Sequence, residues 1–176
     1  SGVDSTFLMK VAHDVLGEKA VAVTAVSCSF PVRELNEAKA FCERENIRQF
    51  ICESEELDID GFSKNPKNRC YYCKQRIFSA IQKEALAQGF SVLLDGTNVS
   101  DEADDRPGML ALKELHVLSP LRLCGLTKQD IRMLSKEAGL FTWDKPSYAC
   151  LATRIPTGMK ITGELLHAIE SCENIL

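Results

Sequence analysis

The chain has 176 residues, of which 45% are hydrophobic and 26% charged, with a net charge of -4 and a pI of about 5.5. That length suits one domain with a real core and excludes two large ones. No apolar run approaches the roughly 18 residues of a membrane span, and the acidic balance argues against a broad nucleic-acid surface.

Eight cysteines are present, at positions 28, 42, 52, 70, 73, 124, 150 and 172. In a chain with this much core-forming sequence they point to a reducing, cytoplasmic setting rather than a disulfide scaffold. No internal repeat is visible.

Taken in order, helix and strand alternate. Thr6 to Leu16 has apolar residues at helical spacing and stops at Gly17. Ala20 to Val26 is a β-branched run that reads as a buried parallel strand. Pro31 to Asn46 reads as helix, with Pro31 in its first turn. Arg48 to Cys52 is the next strand, and 53 to 68 is a polar loop with room for one short helix. Tyr72 to Gln88 is helical and ends at Gly89.

Ser91 to Asp95 reads as a strand, Gly96 to Arg106 as an acidic turn-rich loop, and Pro107 to Leu115 as helix. His116 to Leu118 is a short strand ahead of Pro120. Thr127 to Ala138 is a helix with Thr127 and Asp130 spaced as a capping box and Gly139 as its stop. Residues 143 to 158 are irregular, and Thr162 to Ile175 is a last helix capped by Thr162. This alternation predicts an α/β fold with a parallel sheet wound on both faces. Ligands on such sheets sit at the carboxyl ends of the strands.

Two motifs carry chemistry. Ser1-Gly2-Val3-Asp4-Ser5-Thr6 leads straight into a helix. Glycine permits close backbone approach, and a helix start offers amides and a positive dipole end to phosphate. A serine-capped helix after a turn would look the same. Asp4 beside an anion calls for a bridging cation, which implies Mg2+.

The second motif is Cys70-Tyr71-Tyr72-Cys73 at a helix entrance, where thiol pKa falls. Alone it fits half a zinc site, a redox pair or two packed cysteines. A second such pair is absent, and His13, His116 and His167 complete no zinc spacing. Cys150 follows Pro146 and stands between Lys145 and Arg154 in sequence, a setting that favours thiolate. Three cysteines suit a 4Fe-4S cluster with one open iron.

The run Asp95-Gly96-Thr97-Asn98, Asp104-Asp105-Arg106-Pro107-Gly108, Ser119-Pro120-Leu121, Lys128 with Ile131-Arg132, Lys145-Pro146 and Cys150 through Pro156 resembles the LarE family. These are sulfur-inserting enzymes within the PP-loop ATP pyrophosphatases, and Ser1 to Thr6 resembles their Ser-Gly-Gly-x-Asp-Ser loop with one glycine visible. The strand expected before that loop lies outside the sequence, so the PP-loop (adenine nucleotide alpha hydrolase-like) fold is expected to be incomplete at both ends. Residues 1–142 are expected to form the PP-loop domain and 143–176 the start of a substrate and sulfur-transfer region.

The resemblance implies ATP-dependent adenylylation of a pyridinium dicarboxylate mononucleotide and its conversion to a thiocarboxylate, in nickel-pincer nucleotide synthesis. It implies ATP contacts at Ser1, Gly2, Val3, Asp4, Ser5, Thr6, Val26, Ser27, Gly96, Thr97 and Asn98, with Mg2+ at Asp4. Substrate contacts are expected from Tyr71, Arg106 and Arg154, and catalytic roles from Cys150 and Arg154. Family members with one cysteine sacrifice its sulfur, leaving dehydroalanine; those with three carry a 4Fe-4S cluster. Cys70, Cys73 and Cys150 fit the second group, but the first stays open. A homo-oligomer without nucleic-acid or membrane partners is expected. A tRNA-thiolating PP-loop enzyme and a non-catalytic nucleotide- or metal-binding module remain alternatives.

Overall fold

The computed structural model describes residues 2–102 and 106–175. Ser1, Asp104, Asp105 and the side chain of Arg106 lie outside the described residues, so the roles expected of them are not placed.

Helix α1 spans Val3–Leu16, strand β1 Ala22–Ser27, α2 Val32–Arg44 and β2 Gln49–Ser54. A short α3, Asp60–Ser63, leads into the long α4, Arg69–Ala87. Then come α5 (Arg106–Glu114), α6 (Pro120–Leu123), α7 (Lys128–Glu137) and α8 (Gly163–Glu173). Strands β1 and β2 pair in parallel, from Ala22 opposite Gln49 to Ser27 opposite Ser54. The α/β class with a parallel sheet therefore stands, in a helix-rich form consistent with a PP-loop-like fold. Among the described residues no helix is long and apolar enough to cross a membrane.

Most helix signals act as read. The capping box of α7 is complete: Thr127 accepts from the Asp130 amide while Asp130 accepts from the Thr127 amide. Thr162 accepts from Leu165 N at the start of α8. Gly89, at φ 85°, ends α4 as Phe90 N donates to Ala85 O at 2.8 Å.

Three expectations need correction. Helix α1 begins at Val3 rather than Thr6, so most of the expected phosphate loop is already helical; Thr6 N donates to Gly2 O at 3.1 Å. The strands expected at 91–95 and 116–118 reduce to one parallel bridge, Leu94 to Leu118. His116 takes a left-handed φ of 54°, which breaks extended pairing, and α6 starts at Pro120, leaving only Val117 to Ser119 between them. Pro31 caps α2 from outside its first turn.

Two apolar cores divide the work. Val3, Phe7, Phe41, Cys42, Ile47, Leu121, Ile131 and Leu140 pack together and fix the start of α1. Phe62, Leu151, Ala152, Ile155, Ile161 and Leu166 form the second, with Cys73, Tyr148 and Cys150 against it. Burying such side chains stabilises each core by about 1.5–3 kcal/mol apiece. The segment around Cys150 is therefore held by packing on both sides, although it contains little regular structure.

Candidate active site

The first group of polar residues gathers at the start of α1. The first helical amides, at Val3, Asp4 and Ser5, have no partner within the helix by its geometry. Ser5 Oγ donates back to Gly2 O at 3.2 Å. The turn at Gly96 lies directly on this start: a Cβ on Gly96 would stand 3.0 Å from Ser5 N and 3.1 Å from Asp4 Cβ. Only glycine lets the turn come so near without displacing backbone.

Beyond Gly96, the turn is locked by its own side chains. Thr97 Oγ1 donates to Asp95, whose other oxygen accepts from Ser119 Oγ at 2.5 Å. Asn98 is fully buried; its Oδ1 accepts from Ser100 N at 2.8 Å and its Nδ2 donates to Asp4 Oδ1 at 3.3 Å. Gly96 and Asn98 thus lie against Asp4 and Ser5, with Thr97 between them in the same turn.

The cation beside Asp4 is a surprise. Lys128 Nζ, at the first position of α7, pairs with Asp4 Oδ2. The Lys128 ammonium faces one Asp4 oxygen and the Asn98 amide faces the other. Lys128 was not singled out as a site residue. Its place at the start of a well-capped helix fixes its backbone, but nothing in the sequence names a partner 124 positions away.

Val26 is partly exposed and Ser27 buried at the carboxyl end of β1. The Ser27 hydroxyl is engaged inward: it donates to Glu56 Oε2 at 2.7 Å and accepts from Ser29 N at 3.1 Å.

The second group gathers the thiols. Asn65, fully buried at φ 53°, ties α4 to the Cys150 segment. Its Nδ2 donates to Pro156 O at 2.8 Å and Ile155 O at 3.2 Å, its Oδ1 accepts from Arg69 at 2.5 Å, and its carbonyl accepts from Gly158 N at 2.8 Å. Asparagine tolerates this left-handed backbone better than most residues. Asn65→Ala leaves buried carbonyls and Arg69 without these bonds, and is expected to cost about 2–4 kcal/mol of stability in urea unfolding.

Across this staple Cys70, Cys73 and Cys150 come within electrostatic reach of one another. Burial pushes the Cys73 thiol well above its ordinary value, and Glu56, Cys150, Cys70 and Cys28 push it further. Burial also raises Cys150, against the pull of the Arg69 guanidinium. The expected thiolate at Cys150 is corrected on both counts. Lys145 is turned away to Glu34, at 2.7 Å, and Glu37, while Arg154 is held by Glu173. Desolvation outweighs the one cation that does face the thiol. Alkylation of Cys150 by iodoacetamide is accordingly expected to be slower at neutral pH than for an exposed cysteine, and to climb as pH passes above 9.0; peptide mass spectrometry reads the rate site by site.

Cys28 and Glu56 join this group unforeseen. Cys28 Sγ lies 4.0 Å from Glu56 Oε2, and burial with the Glu56 charge pushes its thiol up to about 11. The Cys28 turn is stitched to the Cys150 segment by Leu151 N donating to Ser29 O at 2.9 Å. Glu56 is fully buried, and its Oε1 has no hydrogen-bond partner among the described residues. Cys28 is exposed and Cys70, Cys73 and Cys150 are half-buried, so the thiols lie around a buried carboxylate without being sealed from solvent. Among the described residues, no group of three or more His, Cys, Asp or Glu side chains closes on a single metal ion. Deprotonated, neighbouring thiols would repel one another, and a bound cation would offset that charge.

The remaining expected residues divide. Arg154 sits at the Cys150 segment, its Nη1 donating to Ala149 O at 2.8 Å and Cys150 O at 3.2 Å. Tyr71 is turned toward α5, where its hydroxyl donates to Glu114 at 2.7 Å. Two helical positions separate it from Cys73, which places them on different faces. Tyr72 is the more exposed of the pair, with its ring against Gly61, where a Cβ would come within 2.3 Å.

A small parallel sheet in a helix-rich α/β layer, with a glycine-led helix start, is consistent with a PP-loop-like fold. No family model matches the chain. It is 31% identical over 176 residues to the pyridinium-3,5-bisthiocarboxylic acid mononucleotide synthase of Lactiplantibacillus plantarum, covering 99% of this chain and 64% of the relative. It is 42% identical over 172 residues to an uncharacterized protein of Synechocystis sp., covering 98% and 64%. An uncharacterized protein of Methanocaldococcus jannaschii is 34% identical over 131 residues, covering 74% and 51%. The chain spans less than two thirds of the length of these relatives. The identity to the synthase, sustained along nearly the whole chain, supports a LarE-like assignment.

Proposed function

We propose that the chain is the ATP-activating and sulfur-inserting part of a LarE-family enzyme. Its substrate is a pyridinium dicarboxylate mononucleotide, converted to a thiocarboxylate in nickel-pincer nucleotide synthesis. The observation that carries this reading is the convergence of Cys70 and Cys73 on Cys150 in a chain similar along its length to a thiocarboxylate-forming synthase.

A carboxylate is a poor acceptor for a sulfur nucleophile because its oxygen does not leave. Transfer of AMP to that oxygen, with release of pyrophosphate, makes it a leaving group. The α1 amides after Gly2 and the ammonium of Lys128 balance the charge on the departing pyrophosphate. Asp4 holds the Lys128 ammonium at this site, and its carboxylate is the group that would hold Mg2+ arriving with ATP. Gly96, Thr97 and Asn98 close over the same site, and the backbone at Val26 and Ser27 meets adenine. Arg154 binds the substrate anion beside Cys150.

Sulfur then replaces AMP on the activated carbonyl carbon. Cys70, Cys73 and Cys150 would hold a 4Fe-4S cluster, which supplies a labile sulfide when bound. The Asn65 staple joins the start of α4, which carries Cys70 and Cys73, to the segment after Cys150, and holds Arg69 there. On this reading the chain belongs to the three-cysteine group of the family, with residues 143–176 as the opening of its sulfur-transfer region. Anaerobic purification with iron and sulfide analysis tests the assignment. Bound iron and sulfide that vanish in Cys70→Ala are expected; a protein without either, or an unchanged content in the variant, contradicts the three-thiol site.

A further inference from the structure

Beside the Cys150 segment lies a group of polar donors, of which Tyr148 also packs against the second core. Arg33 comes from the first turn of α2, Tyr148 and Arg154 from either side of Cys150, and all three converge on Glu173 at the end of α8. Arg154 Nε donates to Glu173 Oε1 at 2.6 Å. The Tyr148 hydroxyl donates to Oε2, and Arg33 Nη2 stands 3.7 Å from the same oxygen. Both guanidinium groups lie over the Tyr148 ring, 4.9 and 4.7 Å from its centroid.

Two cations and a phenol donor face one carboxylate, so the cradle keeps one excess positive charge. The Tyr148 hydroxyl and the two arginines hold Glu173 ionised, and burial with the Glu173 charge keeps Tyr148 protonated, its pKa pushed up to about 12. The side chains of Arg33, Arg154 and Glu173 remain 40%, 32% and 23% exposed, so solutes can reach them. An ion pair so open adds little to stability. Helix α8 is docked without it, through buried Leu166 and through Glu170 Oε1, which accepts from Val32 N at 2.8 Å.

We propose that Arg33, Tyr148 and Arg154 form a binding site for a phosphate monoester dianion, and that Glu173 is its internal occupant, displaced when the ligand arrives. Forked guanidinium donors match phosphate oxygens in the way they match this carboxylate. A dianion would balance both arginines where Glu173 balances one. Arg154 also donates to the carbonyls of Ala149 and Cys150, so the bound phosphate is joined to the main chain at the reactive cysteine. The naming of the dianion as the phosphate of a pyridine mononucleotide rests on the function proposed above; the cradle itself does not.

Calorimetric titration with nicotinate mononucleotide, nicotinate riboside and inorganic pyrophosphate tests the site. The mononucleotide is expected to bind Glu173→Gln about fivefold tighter than the wild type, and Arg33→Ala about tenfold weaker. The riboside, lacking phosphate, should respond to neither change. Pyrophosphate that follows the same pattern and displaces the mononucleotide would identify free phosphate as the ligand source. Wild-type affinity in both variants, or no binding of either phosphate probe to wild type and Glu173→Gln, overturns the proposal. Should a variant fail to fold, the Arg154 Nε–H resonance of the wild-type protein decides: it shifts on saturation with the mononucleotide, or the site is wrong. ATP-dependent pyrophosphate release, measured separately, reports on the functional reading and leaves the cradle untouched.

Discussion

Cys150→Ser is expected to lower thiocarboxylate formation at least about a thousandfold while ATP-dependent pyrophosphate release persists. The split follows from the geometry. Cys150 packs against the second core beside Cys70 and Cys73, whereas the residues at the start of α1 are fixed by the first core. Serine keeps the volume of the side chain but cannot release sulfur or ligate iron as a thiolate. The two ways of using Cys150, as a sulfur donor or as a cluster ligand, both need that thiolate. The raised pKa means it forms only when the proton is taken up elsewhere, so cluster loading should release protons and strengthen with rising pH. A variant that loses pyrophosphate release together with sulfur insertion would show that the two sites are not separable in this way.

The second large effect is expected at Lys128. Lys128→Ala should slow pyrophosphate release on the order of a hundredfold, the cost of losing one charge-stabilising donor, while Cys150 alkylates at its wild-type rate. Removing the ammonium also leaves Asp4 uncompensated beside incoming phosphates, so the loss should be partly relieved in Asp4→Asn with Lys128→Ala. Single-turnover release of pyrophosphate checks both. An unaltered rate in Lys128→Ala would remove Lys128 from the phosphate site.

What the sequence disclosed depended on how local each feature was. The capping box of α7 and the stops at Gly17 and Gly89 are written within a few residues and were legible. The pairing of Cys70 with Cys73 was legible for the same reason, and Cys150 followed from its motif. Lys128 with Asp4, Cys28 with Glu56, and Asn65 with Ile155 and Pro156 join residues far apart in the chain. No periodicity or spacing encodes such pairs. The Cys150 thiol departs from expectation for one reason: Lys145 and Arg154 are near it in sequence, but each is committed to a carboxylate, and burial decides the thiol. The strands at 91–95 and 116–118 were overread because the left-handed backbone of His116 is a tertiary outcome that residue type did not announce.

The most direct test of the whole account is mass spectrometry of the product formed from a pyridinium dicarboxylate mononucleotide with ATP and the anaerobically prepared protein. The account requires AMP, pyrophosphate and a mononucleotide in which sulfur has replaced a carboxylate oxygen. ATP cleavage that leaves the mononucleotide unaltered, or sulfur insertion that proceeds without ATP, would contradict it.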